Sequence, residues 1–295
     1  MAGLMGSNIS LTLCSADSTA FDGDKLRKNA FVPELDADIV RQGWVGLGEM
    51  LDYTDFAMAT PQAGYVGFSL RMDVRKPSSA VLRLKIAEAI QEAEAKKGGA
   101  LSKAQKKEIR EEMTDRLTRQ ADFVPQLTDC LWDLEKNDLY IGSSSTKIVE
   151  SVLEYFKTTF GTEAHPYASE KDVADVLVTI SRSENLQVDE YTVWSRGSGS
   201  LEITASDEKS SITVQNDGSA VEAALAEGFR PSKLHIAARP ASNEDLEIDF
   251  TLQTNLVISK LLLPKAEKGA DRDAVFVDHA DICARAGAVL KGLCL

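Results

Sequence analysis

Thirteen lysine and arginine residues gather between residues 71 and 119, and their charged groups are the side chains best suited to chemistry in this sequence. Eight acidic residues share the segment, so its net charge is +5 in a chain whose net charge is −13. Such cations bind phosphate oxygens without reading base sequence. This basic segment therefore predicts a surface that holds a polyanion while the acidic remainder repels it. A solvated helical hairpin of mixed charge is the alternative explanation.

Twelve of these cations are the predicted contacts to the phosphates of such a polyanion. They are Arg75, Lys76, Arg83, Lys85, Lys96, Lys97, Lys103, Lys106, Lys107, Arg110, Arg116 and Arg119. Reversing the charge of four of them, at 103, 106, 107 and 110, is expected to weaken binding to nucleic acid of any sequence.

Two pairs of acidic residues raise a second hypothesis, a metal-dependent nuclease. The pairs are Glu247 with Asp249 and Asp271 with Asp273. A two-metal nuclease needs several carboxylates converging on one cleft, whereas a strand that shows its polar face to water explains the first pair equally simply. No nucleophile-elbow motif occurs, and the four cysteines and three histidines lack zinc-ligand spacing. The sequence thus predicts no catalytic residue, no metal and no cofactor.

Three aromatic residues, Phe123, Trp132 and Trp194, have side chains that can stack on bases. Packing in a core or against a hairpin is the alternative for each of them. The residues 194–200 (WSRGSGS) lack the strand and helix that a dinucleotide fingerprint requires, so they predict a hairpin turn, with a ligand-contacting loop as the alternative.

The elements that must position the basic segment are two helices joined by a short turn. Pro77 and the serines after it signal a helix start, and Gly98 signals its end. Ser102 and Gln105 fit a capping box at the start of the second helix. Apolar residues three or four apart predict the facing stripes: Leu82, Ile86, Ala89, Ile90 and Ala93, then Ile109, Met113 and Leu117.

The remaining pattern favours an α+β fold with mixed or antiparallel sheets and amphipathic helices. Strands come in hairpin-like runs rather than in strict alternation with helices. Strands are predicted at residues 8–14, 64–74, 234–240 and 246–263, with a hairpin over 127–144 and a β-rich stretch over 192–217. Helices are predicted at residues 22–30, 146–160, 220–227 and 278–293, and residues 171–180 suit either structure.

Composition places the chain among ordinary globular proteins, because 43% of its residues are hydrophobic and 27% are charged. We predict an N-terminal α+β region over residues 1–165, which includes the basic segment, and a C-terminal α+β region over 166–295. No apolar run reaches the roughly 18 residues that a membrane-spanning helix needs. The N-terminus does not resemble a signal peptide, so reduced cysteines and a cytoplasmic location are expected.

Ordered segments over most of the chain resemble the RdgC family of recombination-associated proteins. They comprise residues 31–46 (FVPELDADIVRQGWVG), 71–90 (RMDVRKPSSAVLRLKIAEAI), 101–117 (LSKAQKKEIREEMTDRL), 130–161, 193–199 (VWSRGSG) and 220–237. The resemblance implies a homodimer closed into a ring, whose basic hole encircles double-stranded DNA with little sequence preference. It also implies a nucleoid-associated location and that the protein restrains the RecA recombinase. Some relatives carry an exonuclease label, which the residues of this chain do not support.

Three functions therefore remain for comparison with the structure. The first is a non-catalytic protein that binds DNA through the basic segment. The second is the metal-dependent exonuclease. The third is a protein-binding module in which the basic segment docks an acidic partner.

Overall fold

The computed structural model describes residues 3–18, 20–33, 40–56, 59–205, 208–215 and 217–295. Part of the 31–46 motif and parts of the 192–217 stretch lie outside these residues. The strands are β1 (Asn8–Ala16), β2 (Val40–Gly46), β3 (Tyr65–Arg75), β4 (Phe123–Asp133), β5 (Asp138–Ile141), β6 (Ala164–Pro166), β7 (Leu186–Val188), β8 (Tyr191–Ala205), β9 (Glu208–Val214), β10 (Arg230–Pro240), β11 (Ile248–Gln253) and β12 (Val257–Leu262). The helices are α1 (Gly23–Lys28), α2 (Ser79–Lys97), α3 (Lys103–Gln120), α4 (Thr146–Phe160), α5 (Val173–Arg182), α6 (Gly218–Ala226) and α7 (Arg272–Cys294).

All twelve strands join one antiparallel sheet. Its order is β2-β3-β4-β5-β1-β12-β11-β10-β8-β7, with β6 added beside β1 and β9 beside β8. The predicted α+β class is confirmed. The sheet continues through both predicted regions, because β1 pairs with β5 on one side and with β12 on the other. The division near residue 165 therefore stays a prediction.

The sheet buries its two faces in two separate cores. In β1, Leu11 and Leu13 enter the core that α5 and α7 share with β10, β11 and β12, whereas Cys14 enters a second core under α4. This alternation follows from the pleat, which turns successive side chains to opposite faces. In the second core the rings of Trp132 and Phe156 meet edge-on with centroids 4.9 Å apart. Trp132 is fully buried. Of the two roles considered for it, stacking on bases and packing in a core, the structure shows packing in a core.

The helix α7 lies deep in the first core. It begins at Arg272, with the side chain of Asp271 accepting a hydrogen bond from the Asp273 backbone N–H, so the predicted start at residue 278 is wrong by six residues. Lys291 from the last turn bonds to the buried Asp138 at 2.6 Å. A Cβ at Gly287 would lie 2.6 Å from the Tyr140 hydroxyl, so only glycine allows this close packing.

The segment 194–200 is not the predicted turn but the middle of β8. Gly197 has φ +69° and a Cβ there would lie 2.9 Å from the Gly218 backbone nitrogen. A shift of register against β10 lies beside it. A glycine-rich run therefore continues as a strand, because its glycines accommodate a bulge and the close approach of another chain segment.

The four cysteines, Cys14, Cys130, Cys283 and Cys294, are free and buried. Burial raises the pKa of Cys14 to about 12 and that of Cys294 to about 11. Burial also raises the pKa of Cys130 and Cys283. We expect a thiol reagent at pH 8 to label almost none of them in native protein and all four in denaturant, because the thiolate is the reactive form. Rapid labelling of native protein would contradict this placement.

Candidate nucleic-acid interface

The two helices of the basic segment, α2 and α3, form a helical hairpin that packs mainly on itself. Gly98 ends α2 in the left-handed conformation, and the capping box of Ser102 and Gln105 begins α3, as predicted. The predicted apolar stripes are only half-buried: α2 has no buried residue, and α3 has one, Met113. The main contact of the helical hairpin with the sheet is between α3 and β3. Most of its charged side chains are therefore open to solvent.

Four of the twelve predicted phosphate contacts are paired with carboxylates of the same segment. The pairs are Lys85 with Glu88, Lys106 with Glu94, Lys107 with Glu111 and Arg119 with Asp115. Lys106 and Glu94 form the one of these four ion pairs that joins α2 to α3. Their charged atoms are 2.8 Å apart, and both side chains are about one third exposed. The Lys106 hydrogen bond holds the pKa of Glu94 below its usual range.

Three further predicted contacts make hydrogen bonds without an ion pair. Arg75 donates to the Ala121 carbonyl, Lys97 donates to Gln105, and Arg116 contacts the sulfur of Met113. Arg75 is the most confined of them, since its guanidinium also lies 4.2 Å from the centroid of the Phe123 ring.

The other five predicted contacts are exposed and make neither an ion pair nor a side-chain hydrogen bond with the described part of the chain. They are Lys76, Arg83, Lys96, Lys103 and Arg110. Their charges are therefore hydrated and available to an incoming anion, whereas a neutralised lysine must first leave its carboxylate.

In the first half of α3 three cations share one face, whereas Glu108, Glu112 and Asp115 lie on another. Lys103, Lys107 and Arg110 follow one another at helical spacing and extend over about 10 Å of the helix axis. Lys107 belongs with them although it lies 3.6 Å from Glu111, because both side chains are about 70% exposed and such pairs contribute little. The arrangement suits a row of phosphates, which supply a charge about every 3.4 Å along one DNA strand.

The acidic residues of the nuclease hypothesis hold an arginine instead. Arg196 on β8 donates from Nε to Asp249 at 2.7 Å and also bonds to Glu247. Its pKa is raised, first by the hydrogen bond to Asp249. Asp271 caps α7, away from this pair. Among the residues that the structure describes, no group of three or more His, Cys, Asp or Glu side chains could hold a metal ion.

Comparison with known proteins identifies the family. A family model described as "Putative exonuclease, RdgC" matches residues 14–274. The chain belongs to the RdgC family. The match includes the helical hairpin and all strands but the beginning of β1, and it ends inside α7. No curated protein matches the sequence. No helix among the described residues is long and apolar enough to cross a membrane.

The base of the helical hairpin, where β3 leads into α2, contains a cluster of charged residues that the sequence analysis did not predict. Asp73 on β3 is 1% exposed and binds both Arg41 and Arg71. The Arg71 guanidinium lies 4.0 Å from the centroid of Phe31, and Arg41 lies 4.3 Å from that of Phe123. Phe123 therefore stacks on arginines here, and Trp194 likewise lies beside Arg196, 5.4 Å away. The available signal was the alternation of Arg71, Asp73 and Arg75 along β3, which places the three charges on one face of the strand.

Proposed function

We propose that this RdgC-family protein is a non-catalytic protein that binds double-stranded DNA without sequence preference. The observation that carries the proposal is the set of five exposed cations without a partner in the described structure, on a segment of charge +5 in a chain of charge −13. Phosphate contacts by lysine and arginine release counterions from DNA and do not distinguish bases. The acidic remainder would limit contact to this one surface.

The family resemblance extends the proposal to assembly. Two copies related by a two-fold axis would each contribute a helical hairpin, so that both line one channel around the duplex. Such a ring dimer in the nucleoid of the cytoplasm would compete with RecA for DNA. The size-exclusion mass with and without duplex, at low and moderate salt, tests the assembly separately from the affinity.

The test of DNA binding is its dependence on salt. Fluorescence anisotropy with two short duplexes of unrelated sequence should give equal affinities. Roughly 4–8 phosphate contacts per dimer should give a slope of log affinity against log salt between about −4 and −7, at about −0.9 per contact. Unequal affinities, or a slope near zero, would remove the proposal. A salt-sensitive complex with an acidic protein in the absence of any DNA shift would favour the protein-binding module instead.

The exonuclease description of the family makes the second function worth a direct test. Because Arg196 already binds both Glu247 and Asp249, we expect these carboxylates not to recruit a divalent metal. End-labelled DNA incubated with Mg²⁺ or Mn²⁺ should therefore yield the same product pattern with wild type and with Glu247→Ala. Metal-dependent product that disappears with Glu247→Ala would establish the nuclease and overturn the non-catalytic proposal.

A further inference from the structure

A row of polar side chains crosses four neighbouring strands of the sheet. On β8, β10, β11 and β12 the register places Ser198 opposite His235, His235 opposite Thr251, and Thr251 opposite Ser259. The adjacent residues along these strands, such as Leu234 and Leu252, are fully buried in the core with α5 and α7. Since successive side chains alternate, the polar row faces away from that core.

This row forms part of the lining of a cavity of about 470 Å³, within the usual range of small-molecule sites. Lys233 and Lys260 line the same cavity, together with further hydroxyl groups from Ser200 and Thr213. No carboxylate is among the described lining residues, although 46 of the 295 residues in the chain are acidic. A cavity with ammonium and hydroxyl donors and without acidic groups is suited to an anion.

A distortion of β12 brings the second lysine into the cavity. Lys260 has φ +55°, and the pairing of β12 with β1 shifts register at this point. In a regular strand Ser259 and Lys260 would point to opposite faces, yet both line the cavity. A bulge redirects side chains in this manner. Left-handed backbone at a residue other than glycine is energetically unfavourable, and such conformations cluster at functional sites.

The carboxylate nearest to the row is engaged elsewhere. Asp249 lies 3.8 Å from the His235 Nε2 but is bound by Arg196. Burial lowers the pKa of His235. The negative charge of Asp249 raises this pKa, and the positive charges of Arg196 and Lys260 lower it further. The lowered pKa keeps this ring neutral near pH 7, when one nitrogen can donate and the other accept.

We propose that this cavity binds a phosphate oxyanion, held by Lys233 and Lys260 and by lining hydroxyl groups such as those of Thr213 and Thr251. Phosphate oxygens accept charge-assisted hydrogen bonds from ammonium groups and further bonds from serine and threonine. The site lies on the sheet, and none of its residues belongs to the helical hairpin. It therefore stands independently of the proposed DNA contacts on α2 and α3.

Calorimetric titration with inorganic pyrophosphate tests the site. The pocket variant is Lys233→Gln with Lys260→Asn, in which asparagine tolerates the left-handed backbone. The matched control is Lys265→Gln with Lys268→Gln, which removes two exposed charges outside the cavity. Wild type and control should bind equally, and the pocket variant should bind about tenfold more weakly or worse. The single variant Lys233→Gln, an exposed strand position, provides a second measurement if the double variant does not fold.

A parallel titration with a short DNA duplex distinguishes the sources of the phosphate. Loss of pyrophosphate binding with unchanged duplex affinity supports a site for a free phosphorylated molecule. Loss of duplex affinity, relative to the control, supports a site for the nucleic-acid backbone. If the pocket variants equal the control with both probes, the proposal is overturned, whatever the hairpin variants show.

Discussion

Replacement of Lys103, Lys107 and Arg110 by glutamate is expected to weaken duplex DNA binding by about 10²–10⁴-fold at moderate salt. Each contact of a charged donor with phosphate contributes about 1.5–3 kcal/mol, so the loss of only two such contacts already corresponds to about 10²–10⁴-fold. The new carboxylates also repel the backbone. The three residues share one exposed face of α3, so the substitution leaves the contact between α2 and α3 intact. Anisotropy titration of one duplex across a salt series measures the change.

The matched control is Lys147, Lys265 and Lys268 replaced by glutamate, which alters net charge equally at exposed positions outside the helical hairpin. Its affinity should stay within about threefold of wild type, because charges beyond a Debye length are screened. A loss as large as that of the hairpin variant would mean that net charge, rather than this face, governs binding. Wild-type affinity in the hairpin variant would show that the duplex binds elsewhere.

The paired lysines provide a finer comparison within the same segment. Lys106 was predicted from sequence as an equal member of the set of four, but its ammonium bonds to Glu94 across the two helices. Arg110 has no such partner in the described structure. Neutralising Lys106 should therefore weaken DNA binding less than neutralising Arg110, although the two residues are one helical turn apart.

Local signals in the sequence predicted much of the helical hairpin. The end of α2 at Gly98 and the capping box at Ser102 depend on residues within one helical turn. The local sequence therefore suffices to locate them. The strand β3 and the hairpin of β4 and β5 follow from alternation over a few residues. The sequence also identified the segment as basic, but it could not separate neutralised from available cations.

The rest depends on pairing between distant parts of the chain. Arg196 meets Asp249 only because β8 and β11 both flank β10, and that strand order has no local signature. The run 194–200 was predicted as a turn because glycine usually breaks strands, whereas the bulge at Gly197 depends on the position of Gly218. The polar row across β8, β10, β11 and β12 likewise exists only in the register of these four strands. Sheet order and register were the missing information.

Replacement of the buried Asp73 by asparagine is expected to lower the free energy of unfolding by about 3–5 kcal/mol. Arg71 binds its two oxygens at 2.8 Å and Arg41 binds one at 3.1 Å, and both arginines are at most 20% exposed. Removing the single carboxylate leaves two confined guanidinium groups without compensation, and unpaired buried charge is far more costly than a lost surface pair. Urea denaturation followed by circular dichroism measures the change.

Asp115→Asn is the control, because Asp115 pairs with Arg119 on the surface of α3, where both side chains are more than half exposed. Its effect should stay within about 0.5 kcal/mol. The contrast also separates two uses of arginine in and around the helical hairpin. Arg41 and Arg71 anchor the strands from which the helical hairpin extends, whereas Arg110 faces solvent. If Asp73→Asn lowered the free energy of unfolding no more than the control does, the base of the helical hairpin would not depend on this charge cluster. Packing of Phe31 and Phe123 on the arginines would then have to stabilise it alone.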